Sequence, residues 1–94
     1  MKNKMKDIID ELQIIADDFY QNKIKTGTEK MPGVVRKLGE IISCLAEDQQ
    51  QELQIILRNA MEAMETKRYI MLADILVFDL KSVLEDTQTV GDKR

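Results

Sequence analysis

Carboxylates are the only side chains in this sequence that could form a catalytic site of a familiar kind. The 94 residues include 17 Asp and Glu but no histidine, and Cys44 is the one cysteine. The absence of histidine excludes Ser-His-Asp sites, His-ligated zinc and the Glu-x-x-His di-iron bundles. A single cysteine cannot form an intramolecular disulfide, and without a histidine to activate it we expect an inert, partly buried thiol.

The first group of acids lies on one face of the first predicted helix, from Asn3 to about Lys23. These acids are Asp7, Asp10, Glu11, Asp17 and Asp18. At ~100° per residue they lie opposite an apolar stripe made of Met5, Ile8, Ile9, Leu12, Ile15, Ala16 and Phe19. A solvated face is the simpler interpretation, and a metal or a basic partner is the alternative. Ile14 falls within the acidic face, where a single exposed isoleucine needs no special explanation.

The second group of acids lies between residues 62 and 78. Glu62-Ala-Met-Glu65 and Asp74, within Met71-Leu-Ala-Asp-Ile-Leu-Val-Phe78, resemble motifs of the all-α nucleoside-triphosphate pyrophosphohydrolases. In that family a Glu-x-x-Glu pair and a later Glu-x-x-Asp pair hold magnesium between helices. This chain departs from the pattern, because Met71 stands where the third acid would be and too few residues follow Glu65 to reach an opposing helix. The resemblance implies, as an alternative function, a degenerate carboxylate- and magnesium-dependent hydrolase.

Composition and charge limit the classes of partner. The net charge of −3 and a pI near 4.9 argue against nucleic acid and against an anionic membrane surface, because both partners need a basic face. No apolar run approaches the ~20 residues of a membrane span. Acids also interrupt any apolar segment after the basic N-terminal residues. We therefore expect a cytoplasmic protein with a single helical domain over residues 1–88 and a flexible C-terminal tail over 89–94.

The second predicted helix follows a break at Thr26-Gly27-Thr28, where Gly27 would take the left-handed conformation that ends the first helix. Because proline is tolerated only in a first helical turn, the regular part should begin near Pro32 and end near residue 45. Its core stripe is Met31, Val34, Val35, Leu38, Ile41, Ile42 and Leu45. Gly39, beside this stripe, could allow a close helix contact.

The remaining residues, 49–86, contain no glycine or proline and carry two apolar stripes. The third stripe comprises Leu53, Ile56, Leu57, Ala60, Met61 and Met64, and Asp48 is the predicted N-cap before it. The fourth comprises Tyr69, Ile70, Ala73, Leu76, Val77, Leu80, Val83 and Leu84. On one continuous helix these stripes would lie ~170° apart.

Two architectures satisfy these out-of-phase stripes. Either the chain folds back near residues 65–68 as a hairpin, with Thr66 as N-cap, or one helix of ~38 residues switches its buried face. In the hairpin, proline in place of Lys67 would fall in a first helical turn and should be tolerated. We favour the hairpin, and with it an all-α, four-helix antiparallel bundle.

A second resemblance covers residues 60–80. The phrases Ala60-Met-Glu-Ala-Met-Glu-Thr-Lys-Arg-Tyr69 and Leu72-Ala-Asp-Ile-Leu-Val-Phe-Asp-Leu80 are similar to the C-terminal half of small, uncharacterised, all-helical bacterial proteins. Those proteins have an acid before the tyrosine, where this chain has Arg68. The resemblance supports the hairpin and implies no particular activity.

The final helix also has a second apolar face opposite its main stripe. Met71, Ile75 and Phe78 lie on one turn-spaced line, with Asp74 and Asp79 on its flanks. Either the first helix covers this line or a second copy of the chain does. We expect a protein–protein interaction module that self-associates, with Met71, Asp74, Ile75 and Phe78 at the interface. This interpretation includes no catalytic residue, metal or cofactor, and its partner is a second copy or another protein rather than nucleic acid or membrane.

Overall fold

A computed structural model describes residues 4–85, and within this range the chain forms four helices and no strand. Helix α1 spans Lys4–Tyr20, α2 spans Ile24–Ile41, and a 3₁₀ turn at Ile42–Cys44 leads to α3, Glu47–Glu65. The final helix begins as α4, Tyr69–Asp74, continues as a π-helical segment, Ile75–Leu80, and returns to α-helix over 81–85. The predicted all-α, four-helix antiparallel bundle is confirmed. The predicted tail, 89–94, and the predicted domain end at 88 lie outside the described residues.

The helices share one apolar core. Helix α1 packs on α2 and on the final helix, whereas α3 packs mainly on the final helix. The largest fully buried side chains are Ile8, Leu12, Ile15, Phe19, Val34, Leu38, Leu53, Leu72, Leu76, Leu80 and Leu84. The predicted stripe of α1 is confirmed, and Ile14 is exposed as expected. In the later stripes Leu57 is only partly buried, and Met61 and Ile70 are exposed.

Part of the acidic face of α1 pairs with basic side chains of α2. Lys30 Nζ lies 2.9 Å from Asp18 Oδ2, and Lys37 Nζ pairs with Glu11 Oε2. Asp7, Asp10 and Asp17 are exposed, as a solvated face requires. The basic partner of two of these acids is therefore the neighbouring helix of the same chain.

The turn between α1 and α2 comes earlier than predicted. Asn22, with φ of 64°, takes the left-handed conformation that the sequence suggested for Gly27. The Asn22 N–H donates to the Phe19 carbonyl at 3.0 Å and the Lys23 N–H donates to the Asp18 carbonyl at 2.7 Å. These two bonds form a Schellman motif, which satisfies carbonyls at the helix end without a glycine. Helix α2 therefore starts at Ile24 and includes Gly27 and Pro32 in its interior.

Gly27 provides a close approach between helices. A Cβ at this position would lie 2.8 Å from Phe19 Cε1, closer than side-chain atoms normally come. The Phe19 ring also stacks on Tyr69, with 5.5 Å between the ring centroids and 22° between the planes. Gly39, where the sequence suggested a close contact, is exposed, and a Cβ there would have no described atom of another helix within 4 Å. The close contact of α2 is therefore made at Gly27.

Two local predictions near the start of α3 are wrong. The N-cap is Ala46 rather than Asp48, and the Ala46 N–H donates to Gln49 Oε1 at 3.3 Å. Cys44 is exposed rather than partly buried, because α2 ends at Ile41 and residues Ile42–Cys44 form a 3₁₀ turn. The extended conformation at Leu45, with ψ of 155°, then separates the turn from α3.

The hairpin between α3 and the final helix is confirmed, but its turn differs from the expected one. Thr66 ends α3 instead of starting the next helix, and its Oγ1 donates to the Glu62 carbonyl at 2.9 Å. Lys67 has φ of 62°, and the Arg68 N–H donates to the Ala63 carbonyl at 2.8 Å. With the bond from the Lys67 N–H to the Met64 carbonyl, this turn is a second Schellman motif without glycine.

The π-helical segment keeps one row of leucines in the core. Leu72, Leu76, Leu80 and Leu84 are all at most 1% exposed. In a regular α-helix each four-residue step passes a full turn by ~40°, so this row would drift ~120° around the axis. A π turn contains more residues than an α turn and opposes the drift, as in the bond from the Lys81 N–H to the Leu76 carbonyl.

The close approach at Gly27 can be tested against a matched glycine of the same helix. In the helix interior, alanine should stabilise by up to ~1 kcal/mol relative to glycine, and Gly39→Ala should show this gain. In Gly27→Ala the same gain is opposed by overpacking against Phe19, which costs about 1–3 kcal/mol. Chemical denaturation should therefore find Gly27→Ala less stable than Gly39→Ala by that amount. Equal stabilities would show that the Phe19 ring moves without cost.

The turn at Lys67 provides a second test and reverses the expectation for proline. Proline fixes φ near −65° and lacks the N–H that bonds Met64, so Lys67→Pro should lose more than ~1 kcal/mol of stability. Lys67→Gly should gain up to ~1 kcal/mol because glycine adopts positive φ without strain. Lys67→Ala controls for loss of the side chain. Denaturation curves that place the proline variant level with the glycine variant would contradict this turn.

Candidate interaction surface

A groove runs along the outer side of the hairpin, between α3 and the final helix. We call it the hairpin groove, and it consists of two adjoining cavities. The turn-side cavity, of about 400 Å³, is lined by Asn59, Glu62, Ala63, Thr66, Arg68, Met71, Ile75 and Asp79. The distal cavity, of about 360 Å³, is lined by Glu52, Ile55, Ile56, Phe78, Asp79, Ser82 and Val83. Asp79 lines both cavities, so the two adjoin at this residue.

Large apolar side chains remain exposed along this groove. Phe78 is 66% exposed, Ile55 55% and Met71 47%. Ile75, at 9%, is buried in the floor between α3 and the final helix. The structure thus places three of the four predicted interface residues on one groove, with Met71 and Phe78 on its surface and Ile75 beneath them. Ile55 is an additional groove residue. The sequence shows it only as an apolar residue that lies outside the predicted apolar stripe of α3.

Asp74, the fourth predicted interface residue, makes a contact with α1. Its Oδ1 accepts a hydrogen bond from the Tyr20 hydroxyl at 2.5 Å. This bond joins the last residue of α1 to the last residue of α4. The sequence pattern places Asp74 on the flank of the apolar line formed by Met71, Ile75 and Phe78. Its partner is a tyrosine 54 residues away along the chain, and no pattern in the sequence connects the two.

The same hydrogen bond changes the acidity of the phenol. The pKa of Tyr20 is raised from 10.0 to about 12, first by the hydrogen bond to Asp74, then by desolvation and by the negative charges of Asp74 and Asp17. Ionised tyrosine could not donate to the carboxylate and would be repelled by it, so the neutral form is favoured. The bond therefore contributes to stability only while Tyr20 keeps its proton.

Charges are distributed unevenly along the hairpin groove. Arg68 lies at the turn end, Glu62 and Asp79 line the turn-side cavity, and Glu52 lies in the distal cavity. Within residues 4–85, no three Asp, Glu or Cys side chains are grouped so that they could hold a metal ion. Of the acids that resemble the pyrophosphohydrolase motif, Glu62 lines the groove and Asp74 bonds Tyr20.

By fold, the chain belongs to the class of small all-α helical bundles. In comparisons with known proteins, no family model, curated protein or solved structure matches it significantly. Among the described residues, no helix combines the length and the apolar character needed to cross a membrane. The hairpin groove is therefore the feature from which a function can be inferred.

The Tyr20–Asp74 bond predicts a specific alkaline titration. Because the folded pKa of Tyr20 lies above its unfolded value, its stabilising effect is complete below pH ~10 and is lost as the pH rises toward ~12. The protein has two tyrosines, so Tyr20→Phe leaves only Tyr69. Absorbance titration of the parent minus that of Tyr20→Phe should give a phenol titrating near pH 12 while circular dichroism shows the folded state. In Asp74→Asn this pKa should fall, and a Tyr20 pKa near its ordinary value in the parent would contradict the contact.

Proposed function

We propose that this chain is a small cytoplasmic interaction module that self-associates through its hairpin groove and performs no catalysis. The observation that carries the proposal is the exposure of Phe78, Ile55 and Met71 along the hairpin groove. Methionine and aromatic residues are enriched at protein interfaces, and scattered exposure would need no explanation. Here the exposed groups lie together, above a floor that is already packed.

The spacing of the groove suits a two-fold contact with a second copy. Asn59 and Ile75 both line the turn-side cavity, one on each helix of the hairpin. A two-fold axis at this level would run the two final helices antiparallel. Met71 and Phe78 lie on opposite sides of Ile75 at nearly equal spacing, so Met71 of each copy would meet Phe78 of the other. Such an interface is isologous, as in most soluble homodimers.

The charges at the two ends of the groove favour the same arrangement. The axis at Ile75 brings Arg68 of one copy opposite the distal cavity of the other, where Glu52 lies. Each dimer would contain this pair twice. Within one chain the two residues are far apart, since residues 52–65 of α3 span about 20 Å at ~1.5 Å per residue. That separation exceeds the ~8 Å screening length at physiological salt.

The affinity should be modest. Only a few apolar side chains per copy are available, each already partly covered, at about 1.5–3 kcal/mol for a side chain buried completely. Association itself costs about 4–15 kcal/mol before any gain appears. A dissociation constant in the micromolar range, ~1–100 µM, is consistent with these magnitudes. Sedimentation should therefore be measured at protein concentrations on both sides of this range.

Charge reversal tests both the interface and its symmetry. Arg68→Glu alone and Glu52→Arg alone should each place like charges together twice per dimer and weaken association by ~10-fold or more. The double variant, Arg68→Glu with Glu52→Arg, should recover most of the parent affinity because it restores two opposite-charge pairs. Sedimentation equilibrium measures all three, and circular dichroism verifies that each variant is folded.

Arg36→Glu is the matched control for this set. Arg36 is an exposed residue of α2, away from the hairpin groove, and its reversal changes the net charge as much as that of Arg68 does. It should leave the association constant within ~2–3-fold of the parent, as expected for a remote exposed charge. Ile75→Glu is not suitable, because Ile75 belongs to the core and its loss would unfold the hairpin. A parent that stays monomeric at ~100 µM would refute the proposal.

A further inference from the structure

The turn-side cavity and the Phe78 ring match each other across the proposed two-fold axis. Phe78 is the most exposed large apolar side chain among the described residues, yet it does not line the turn-side cavity of its own chain. That cavity has a floor of Ala63 and Ile75, with Met71 at its side. The exposed Phe78 ring and the turn-side cavity therefore lie in the same groove, and the ring does not fill the cavity of its own chain.

The distance between the ring and the recess is set by the final helix. The residues of this helix that line the turn-side cavity range from Met71 to Asp79, and Phe78 lies toward the distal end of that range. From Met71 to Phe78 the rise is about 10 Å at ~1.5 Å per residue. A two-fold axis beside Ile75 makes the final helices of the two copies antiparallel. It places the Phe78 ring of one copy over the part of the turn-side cavity that Met71 lines in the other copy.

Phe78 lies on the side of the final helix away from its leucine row. It falls between Leu76 and Leu80, both of which are buried in the core. Two residues along a helix correspond to about half a turn, so the side chain at position 78 is directed away from the core.

The chemistry of the recess suits an aromatic ring. Met71 offers a thioether, which makes favourable contacts with aromatic edges, and Arg68 offers a guanidinium for the face of a ring. We propose that Phe78 of each copy inserts into the turn-side cavity of its partner, as two reciprocal knobs in two holes. This inference rests on the proposed function and specifies which groups of the two copies meet.

Two complementary variants test the insertion. Phe78→Ala removes the inserting ring and leaves the turn-side cavity unchanged. Met71→Trp narrows the turn-side cavity and leaves the Phe78 ring unchanged. Each variant alone should self-associate ~10- to 100-fold more weakly than the parent, through voids in the first case and clashes in the second. When the two variants are mixed, Phe78 of the Met71→Trp chain inserts into the unchanged cavity of the Phe78→Ala chain. In the reciprocal contact, Trp in place of Met71 lies opposite the small alanine that replaces Phe78. The mixed pair should therefore bind at least ~10-fold more tightly than either variant binds itself.

The protein contains no tryptophan, so Met71→Trp also introduces a unique fluorescent probe. Titration of this variant with Phe78→Ala should shift its emission to shorter wavelength as the indole leaves water. Titration with Ile70→Ala, an exposed isoleucine of the same helix that does not line the groove, should produce no preferential pairing. Met71→Phe serves as the hole-filling variant if the indole prevents folding by circular dichroism.

The outcomes separate this inference from the proposed function. Preferential mixed pairing with a blue shift supports the reciprocal insertion. A dimeric parent whose variants show no preference for each other overturns the insertion and leaves the proposed self-association intact. A parent that is monomeric throughout overturns both.

Discussion

The position of the Phe19 ring is the constraint on which the rest of the bundle depends. The ring is buried between α2, which approaches it at Gly27, and the final helix, whose Tyr69 stacks on it. A side chain larger than hydrogen at residue 27 would hold α2 farther away. One aromatic group thus sets the distance from α1 to its two neighbours. In a core with few aromatic residues, its volume has no ready substitute.

The end of α1 also fixes the rotation of the final helix about its axis. Tyr69 packs on Phe19 and Asp74 accepts the hydrogen bond from Tyr20, so this side of the final helix must face α1. Met71 and Ile75 are then directed toward α3 and the hairpin groove. These two contacts act together with the buried row of Leu72, Leu76, Leu80 and Leu84, which requires the same orientation. Asp74, which the sequence pattern assigns to the interface, also takes part in the contact with α1.

Hydrophobic periodicity is sufficient to predict the helical character of the chain and most of the core, because buried side chains recur at helical spacing. It leaves the hairpin and the single long helix as alternatives. It is insufficient at the helix ends. Sequence rules assign left-handed residues to glycine, but the two Schellman motifs use Asn22 and Lys67, where backbone hydrogen bonds outweigh a modest conformational cost. The rule that assigns Pro32 to a helix start fails similarly, since Pro32 lies inside α2. Met71, Ile75 and Phe78 are recognisable as one face, whereas Ile55 belongs to the groove only through tertiary packing.

Helix α3 packs mainly on one neighbour, the final helix. Its buried side chains, Leu53, Ile56, Ala60 and Ala63, depend largely on that one contact. A second copy bound in the hairpin groove would lie against both α3 and the final helix and hold them together. Binding to the folded state stabilises it in proportion to the logarithm of partner concentration, and the gain should be largest where local opening is easiest. The surface proposed for self-association is thus also the one whose occupation would strengthen the contact between α3 and the final helix.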